Sequence, residues 1–227
     1  MLDVQEKMPK VRVIAKTNIT DKKLLSELNT ANAEDLVMYC ARVSNPKNQT
    51  SGKTGLLNYC AEHGHWSIFE MSNMVVEIET SRAIAAQILR HRSFSFQEFS
   101  QRYAEAFDID TYPARSQDLK NRQNSVDNML QSDKDWFNEV QQTHFMDAMD
   151  LYNEALERGI AKEQARFLLP LSTRTKLYMN GTLRSWIHYL NLRCGNGTQL
   201  EHKEIADKIK QLFIQEFPNI SEALKWK

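Results

Sequence analysis

The segment from residue 81 to residue 92 constrains the fold most, because it is a predicted helix that is apolar nearly all round. Its apolar members are Ala83, Ile84, Ala85, Ala86, Ile88 and Leu89. A helix without a polar face belongs in the interior of a domain. Gln87, Arg90 and His91 lie three and four residues apart, so they share one face and must find polar partners. The sequence therefore predicts a buried helix with a polar, cationic edge.

The composition favours a helix-rich fold over a sandwich or a barrel, because the 227 residues include only 7 glycines and 5 prolines. Helices are predicted near 20–30, 33–43, 55–63, 161–168, 182–194 and 199–216, and short strands at 11–16, 71–80 and 172–179. Residues 104–131 are polar and irregular in pattern. A surface excursion is therefore expected there.

The clearest predicted helix spans 132–158. Ser132-x-x-Asp135 resembles a capping box at its start, and Gly159 follows its end. An apolar stripe along the helix consists of Phe137, Val140, Ala148, Leu151 and Ala155. His144 falls on this stripe and is therefore expected in the core.

Charge and cysteine content narrow the class of protein. Lys+Arg and Asp+Glu both number 29, whereas a non-specific nucleic-acid binder normally carries a basic excess. No nucleic-acid partner is expected. Cys40, Cys60 and Cys194 are odd in number and far apart, which favours a reducing cytoplasm over a disulfide framework. The sequence predicts neither a signal peptide nor a membrane span.

Arginine is concentrated in two parts of the chain. Residues 81–115 contain five arginines and no lysine, although lysine outnumbers arginine by 16 to 13 overall. A second stretch, 158–193, contains five more arginines. A cationic helix end that meets the helix dipole is one explanation. Planar, two-point recognition of phosphate or carboxylate is another, and it favours arginine over lysine. Two such stretches predict a ligand with more than one anionic group.

A long, specific pattern begins at Arg90: Arg90-His91-Arg92-x-x-Ser95-x-Gln97-Glu98-x-Ser100-x-Arg102-Tyr103. It resembles the signature of flavin-dependent thymidylate synthases. The similarity continues upstream in His63-Gly64-His65-x-Ser67-x-Phe69-Glu70. It continues downstream in Ala165-Arg166-x-x-Leu169-Pro170 and in Leu183-Arg184-Ser185-x-x-His188-x-Leu190-x-Leu192-Arg193. Most of the chain is covered, and 104–131 is not.

The resemblance implies a fold and a reaction. The fold is a mixed α/β (α+β) domain, a single unit over 1–227, helix-rich with a small antiparallel sheet. It is expected to form a homotetramer whose active sites are shared between subunits. The reaction is the reductive methylation of dUMP to dTMP. Methylenetetrahydrofolate donates the carbon, NADPH reduces a bound FAD, and the reduced flavin carries the hydride and the one-carbon unit. No metal is implied.

The resemblance also implies residue roles. Arg193 is expected to be the catalytic cation that favours the anionic uracil ring, because a fixed charge placed where negative charge develops lowers the barrier. Arg166 is expected to reach the phosphate from a neighbouring subunit. The dUMP set is Gln87, Ile88, Leu89, Arg90, Glu98, Phe99, Ser100, Gln101, Arg102, Arg166 and Arg193. The FAD set is His65, Ser67, Arg90, His91, Arg92, Glu98, Thr182, Leu183, Arg184 and His188.

The residues around Thr182 agree with this assignment. Thr182 follows Asn180-Gly181 and precedes an apolar-periodic run, which suits a helix N-cap. A helix start is also a favourable place for a diphosphate. Gly195 is expected to end the same helix.

Other functions stay open at the level of sequence. A family member could hydroxymethylate its nucleotide or prefer another pyrimidine, such as dCMP.

Cys60-x-x-His63-x-His65 carries metal-ligand residue types, although a closed zinc site needs a fourth ligand. Aromatic stacking on RNA or DNA is a further alternative, through Phe94, Phe96, Phe99 and Tyr103. That spacing fits core packing equally well. His202 is expected to face solvent.

Overall fold

The computed structural model describes residues 9–29, 32–52, 54–106 and 108–226. The helices are α1 (Lys22–Leu28), α2 (Ala33–Ala41), α3 (Gly55–Glu62), α4 (Arg82–Ile88), α5 (Gln131–Glu157), α6 (Lys162–Ala165), α7 (Leu183–Arg193), α8 (Leu200–Glu216) and α9 (Pro218–Ala223). The strands are β1 (Lys10–Lys16), β2 (Asn73–Ser81), β3 (Ser95–Glu98), β4 (Ser116–Gln117), β5 (Ser125–Val126) and β6 (Arg174–Thr182). Short 3₁₀ turns cover Pro46–Asn48, Trp66–Met71 and Arg166–Leu168.

The main sheet is antiparallel, with the strand order β1-β2-β6-β3. Val76 of the central strand β2 lies between Val13 of β1 and Met179 of β6. Met74, Val76 and Ile78 alternate along β2 and are fully buried, as expected for a strand with one face on the core. A helix-rich α+β fold with a small antiparallel sheet is thereby confirmed.

The hydrophobic core lies between this sheet and the helices α4, α7 and α8. Trp186 of α7 is fully buried, and its indole N–H donates to the backbone oxygen of Met74 at 3.0 Å. A buried indole needs such a partner. Phe213 and Phe217 pack at the far end of α8 with ring centroids 4.8 Å apart. These contacts fix α7 against the sheet, and α7 carries several of the expected site residues.

In the ranges that the structure describes, no helix is long and apolar enough to cross a membrane.

The start of α5 differs from the prediction. The helix begins at Gln131, and the side chain of its cap residue Leu130 makes no capping bond. The expected capping box is wrong, because Ser132 already lies inside the helix and Asp135 instead accepts from Gln131 Nε2 at 2.7 Å. Gly159 follows the end of the helix with a φ of 81°, as predicted.

The apolar stripe of α5 is only partly buried within one chain. Ala148 and Ala155 are buried, whereas Val140 is 38% and Leu151 53% exposed. His144 is exposed, so its expected place in the core is wrong. An apolar stripe is buried where another element covers it, and in the described residues the C-terminal half of α5 is covered by α6 and the turn that follows it.

The segment 104–131 contains the short antiparallel hairpin of β4 and β5. Its first part is fixed to the sheet, because Ile109 forms a bridge with Thr173 and Asp110 accepts from Arg174 Nη1 at 2.7 Å. Its middle is fixed to α5, because Gln141 Nε2 donates to the backbone oxygen of Tyr112 at 2.8 Å. The excursion is therefore anchored to the domain at both places.

Candidate active site

The helix α4 ends at Ile88, earlier than the predicted end at residue 92. The chain then turns, and the backbone N–H of His91 donates to the oxygen of Ile88 at 3.1 Å. Ala86 is exposed while Ile84 and Ile88 are buried, so the helix is covered on one face and not all round. The early end leaves Arg90 exposed on the turn. The side chain of Ile88 lies in the core and presents nothing to a ligand.

Phe94 anchors this turn to the sheet. Its ring lies over Gly181 of β6, where an added Cβ would come within 2.4 Å of Phe94 Cδ1. The same ring meets Trp186 edge-on, with centroids 4.8 Å apart. Because only a glycine leaves room for the ring, Gly181 helps to set the position of residues 90–93.

The edge strand β3 positions Glu98. This strand was not predicted from the sequence, and it pairs with β6 from Ser95 opposite Asn180 to Glu98 opposite Leu177. Glu98 Oε1 accepts from the hydroxyl of Thr175 at 3.0 Å and from Arg82 Nη1 at 3.4 Å. Neither Thr175 nor Arg82 was singled out from the sequence, and they hold this carboxylate half-buried at the sheet edge.

A cationic cluster forms where the loop after β3 meets the turn after α6. Arg102 Nε lies 3.6 Å from Glu163 Oε2, and Arg166 Nε donates to the backbone oxygen of Glu163 at 3.2 Å. We call Arg102, Glu163 and Arg166 the Glu163 cluster. It brings two arginines of the expected dUMP set, one of them the expected phosphate contact Arg166, together within one chain. Nearby, Gln101 is buried and its side-chain nitrogen has no hydrogen-bond partner.

A second cluster forms where the turn after α4 meets the end of α7. Arg193 Nε donates to His91 Nε2 at 2.9 Å. The ring of His91 packs edge-on against Tyr189, with centroids 4.8 Å apart. Because the bond uses only Nε, the two terminal nitrogens of the guanidinium remain available to a ligand. His91, an expected FAD contact, and Arg193, the expected catalytic cation, are thus direct neighbours.

The electrostatics of this second cluster keep His91 neutral. Burial, followed by the positive charge of Arg193, lowers the pKa of His91 to about 4. A neutral imidazole can accept at Nε2 only if its proton is on Nδ1. Burial also raises the pKa of Tyr189, so the tyrosine stays protonated. The formal charge of the cluster is therefore carried by Arg193.

His202 belongs to the same cluster, and its expected exposure to solvent is wrong. The residue is fully buried, with Nε2 3.1 Å from the hydroxyl of Tyr189 and Nδ1 3.3 Å from Gln87 Oε1. The signal was present in the sequence, because Ile205, Ala206 and Ile209 follow it at the spacing of one buried helix face. We call Gln87, His91, Tyr189, Arg193 and His202 the histidine cluster.

A separate cavity of about 460 Å³ opens beside the start of α7. Its lining consists of Trp66, Glu70, Ser93, Arg184, Ser185, Ile187, His188 and Asn191. Thr182 is the N-cap, as predicted, and its hydroxyl accepts from the N–H of Ser185 at 3.2 Å. Arg184 forms an ion pair with Glu70. A cation, a histidine and a helix N-terminus around one cavity fit the diphosphate of a dinucleotide such as FAD.

The remaining expected FAD residues differ in how accessible they are. His65, Ser67 and Arg92 are exposed, and each is next in sequence to a residue that lines the cavity, either Trp66 or Ser93. Leu183 is fully buried, and its N–H donates to the oxygen of Ser72 at 2.9 Å. That residue therefore shapes the start of α7 and presents neither its side chain nor its N–H to a ligand. The helix ends at Arg193 with Cys194 as its cap, so it ends just before Gly195 as expected, although the φ of Gly195 is not positive.

The alternative sites lose support from these positions. Cys60 is buried in the core, whereas His63 and His65 are exposed with their rings 6.2 Å apart, so the three side chains do not converge. Phe94 is buried and Phe96 packs against the core. Two of the four proposed stacking platforms are therefore unavailable to a nucleic-acid base.

The fold and these features define a helix-rich α+β protein with two arginine-containing clusters and a separate cavity of about 460 Å³ lined in part by Arg184. The family model described as "Thymidylate synthase complementing protein" matches residues 23–219. A probable flavin-dependent thymidylate synthase of Paramecium bursaria Chlorella virus 1 is 55% identical over 93% of this chain and 99% of its own length. The flavin-dependent thymidylate synthase of Synechocystis sp. is 51% identical over 92% and 97% of the two chains. The chain belongs to the flavin-dependent thymidylate synthase family.

A solved structure has the same fold. The crystal structure of a UMP/dUMP methylase from Streptomyces cacaoi, bound with 5-Br dUMP, superposes with a TM-score of 0.80 over 96% of this chain and 94% of the other. The two sequences are 22% identical. The family assignment made from the residue 90–103 pattern is confirmed by the family model and the two curated relatives.

Proposed function

We propose that the chain carries out its family's reaction, the reductive methylation of dUMP to dTMP, with the two clusters and the cavity in defined roles. Methylenetetrahydrofolate is the carbon donor, and NADPH reduces the bound FAD. The observation that carries the proposal is the pairing of Arg193 with a neutral His91 at 2.9 Å. This pairing supports placing the nucleobase beside the histidine cluster.

In this proposal Arg193 stabilises the anionic form of the uracil ring. Its Nε is committed to His91, so the orientation of the guanidinium plane is fixed before the substrate binds. A charge preorganised in this way stabilises developing negative charge without a reorganisation cost. His91 itself cannot compete as a cation, because its pKa is about 4.

The Glu163 cluster is proposed to hold the phosphate of dUMP. Arg102 and Arg166 approach the same glutamate, and Arg102 is exposed. Two guanidinium groups suit a dianion better than a single cation does. Glu98, fixed by Thr175 and Arg82, lies between this cluster and the turn after α4 in the chain and is proposed to accept from the sugar or the base.

FAD is proposed to bind at the cavity beside α7. The side chains of Arg184 and His188, which line the cavity beside the start of α7, would hold the diphosphate. When bound, FAD supplies the reducing equivalents and the one-carbon relay of the reaction. The protein's own contribution is to place this cavity and Arg193 along the same helix, because the cavity lining extends from Arg184 to Asn191.

We further propose a homotetramer with shared sites. Large apolar side chains close to Arg166 in the sequence are exposed in the single chain. Phe167 is 75%, Leu168 45% and Leu171 73% exposed. The uncovered part of α5 adds Trp136 at 62% and Met146 at 51%. Large apolar side chains exposed in this number are often covered at an interface. We propose that another subunit covers these side chains, which would place Arg166 at a subunit boundary.

Product analysis tests the proposed reaction. Purified protein is incubated with methylenetetrahydrofolate, NADPH, FAD and one nucleotide at a time, either dUMP, UMP or dCMP, and the products are separated by chromatography. The proposal expects dTMP from dUMP as the main product. Methylated or hydroxymethylated product from UMP or dCMP, with none from dUMP, would contradict it.

A further inference from the structure

The buried His202 sits in a hydrogen-bond chain with one consistent direction. The hydroxyl of Tyr189 lies 3.1 Å from His202 Nε2, and Nδ1 lies 3.3 Å from Gln87 Oε1. The amide Nε2 of Gln87 then donates to Gln199 Oε1 at 2.5 Å. Because an amide oxygen only accepts, Nδ1 must carry the proton. In the neutral Nδ1–H form of His202, Nε2 accepts from the tyrosine, and every contact is satisfied.

The surroundings keep His202 in that form. Burial, followed by the charge of Arg193, lowers its pKa to about 3. Tyr189 on one side is fully buried and protonated, so it remains a donor. A fully buried histidine with both nitrogens engaged has no freedom to turn its ring without breaking two bonds.

The other end of the chain reaches the excursion. Gln199 Nε2 donates to Glu201 Oε2 at 2.9 Å. Glu201 also accepts from Arg115, and Arg115 Nε donates to Ser125 Oγ of β5 at 2.8 Å. The side-chain oxygen of Gln87 is therefore held by the buried His202. Its side-chain nitrogen is held by Gln199, which is connected to the excursion.

We propose that His202 is a positioning residue for Gln87, which it fixes in the orientation that nucleotide binding requires. The inference rests on the proposed function, in which Gln87 contacts dUMP. The amide of a free glutamine side chain rotates and presents either a donor or an acceptor to a ligand. With His202 donating to its oxygen, Gln87 presents its second N–H and one lone pair in a single arrangement.

A matched pair of substitutions separates this role from simple packing. In His202→Asn the amide nitrogen falls near the place of Nδ1, so the donor to Gln87 is kept and the acceptor for Tyr189 is lost. In His202→Gln the terminal amide falls near the place of Nε2, so the acceptor for Tyr189 is kept and the donor to Gln87 is lost. Tyr189→Phe removes only the bond at Nε2 and is a third comparison.

The readouts are the KM for dUMP, kcat, the dissociation constant for FAD and the thermal midpoint of each variant. We expect His202→Gln to raise the KM for dUMP by about tenfold, the loss of one buried hydrogen bond. The KM for dUMP should rise less in His202→Asn and Tyr189→Phe, which keep a donor to Gln87, than in His202→Gln, although the thermal midpoints of all three variants fall. FAD binding should be unchanged in all three.

Two outcomes would overturn the inference. Equal KM changes in His202→Asn and His202→Gln would mean that the site responds to lost packing alone. An unchanged KM in folded His202→Gln would mean that Gln87 does not need this donor. Failure of the wild-type protein to bind dUMP or to form dTMP is a different result, because it removes the proposed function itself and with it the role of Gln87.

Discussion

Arg193 Nε donates to His91 Nε2 across 2.9 Å, although the two residues are 102 positions apart in the chain. The bond joins the end of α7 to the turn after α4. It uses only Nε of the guanidinium and fixes the plane in which the two terminal nitrogens lie. His91 is neutral because its pKa is about 4. The catalytic proposal depends on this geometry, and the first predictions test it.

Removal of Arg193 should separate chemistry from cofactor binding. Arg193→Ala is expected to lower kcat by on the order of 10²–10³-fold, because a preorganised charge is lost. FAD binding, measured by visible absorbance, should persist because the cavity beside the start of α7 is untouched. Arg193→Lys keeps the charge but loses the Nε donor to His91, so its kcat should lie between those of the wild type and the alanine variant. Unchanged turnover in Arg193→Ala would remove this residue from the mechanism.

The two buried histidines predict a stability that falls with acid. Their pKa values in the folded state are about 4 for His91 and about 3 for His202, below the ordinary 6.5. The unfolded chain therefore binds more protons than the folded chain once the pH drops below 6.5. The free energy of unfolding should fall through this window down to the folded pKa values.

The variant His202→Asn isolates one of these contributions. In the wild type, protonation of His202 favours the unfolded chain as the pH falls. The variant has no titratable group at this position. The difference in urea unfolding free energy between the two proteins should therefore shrink as the pH is lowered from neutral toward 4. A difference that stays constant with pH would show that His202 does not titrate with a lowered pKa.

Gly181 should be intolerant of a side chain. In Gly181→Ala the new Cβ meets the ring of Phe94 at 2.4 Å, and a ring held between the sheet and Trp186 has little room to move. The expected loss is about 1–3 kcal/mol in unfolding free energy. Gly55→Ala is the matched control, because no atom lies within 4 Å of its added Cβ, and its effect should stay within about 0.5 kcal/mol. Equal effects in the two variants would mean that Phe94 does not depend on Gly181.

Shared active sites predict complementation between two inactive variants. Arg166→Ala and Arg193→Ala are each expected to lose activity as pure proteins. If Arg166 of one subunit serves the Arg193 site of another, random mixed oligomers should recover about a quarter of wild-type activity. The measurement is dTMP formation after co-refolding in equal amounts. No recovery in mixed oligomers, confirmed as mixed by sedimentation and mass analysis, would place both residues in one subunit's site.

The sequence predicts the regular elements where its patterns are long. β1, β2, β6, α7 and α8 are confirmed close to their predicted bounds, because each has a continuous apolar period or a clear cap. β3 was missed because four residues are too few for a period, and its pairing with β6 is decided by the turn that Phe94 anchors.

The site was predictable in its residue types but not in its contacts. The residue 90–103 pattern identified the family, and the comparisons confirm it. The His91–Arg193 bond and the chain through His202 join residues on different helices, and no local pattern specifies such a pairing. The two histidine errors have one cause: His144 was placed by its stripe and His202 by its polarity, whereas burial was decided by whether another element covers the position.

The most direct test of the account is the visible absorption spectrum of the purified protein with FAD, recorded before and after dUMP is added. The account predicts a bound flavin whose visible band shifts on addition of dUMP, because the cavity beside the start of α7 and the histidine cluster at its end form one site. Arg193→Ala should show the bound flavin with a smaller shift. Bound flavin whose spectrum does not respond to dUMP, or no bound flavin at all, would contradict the account.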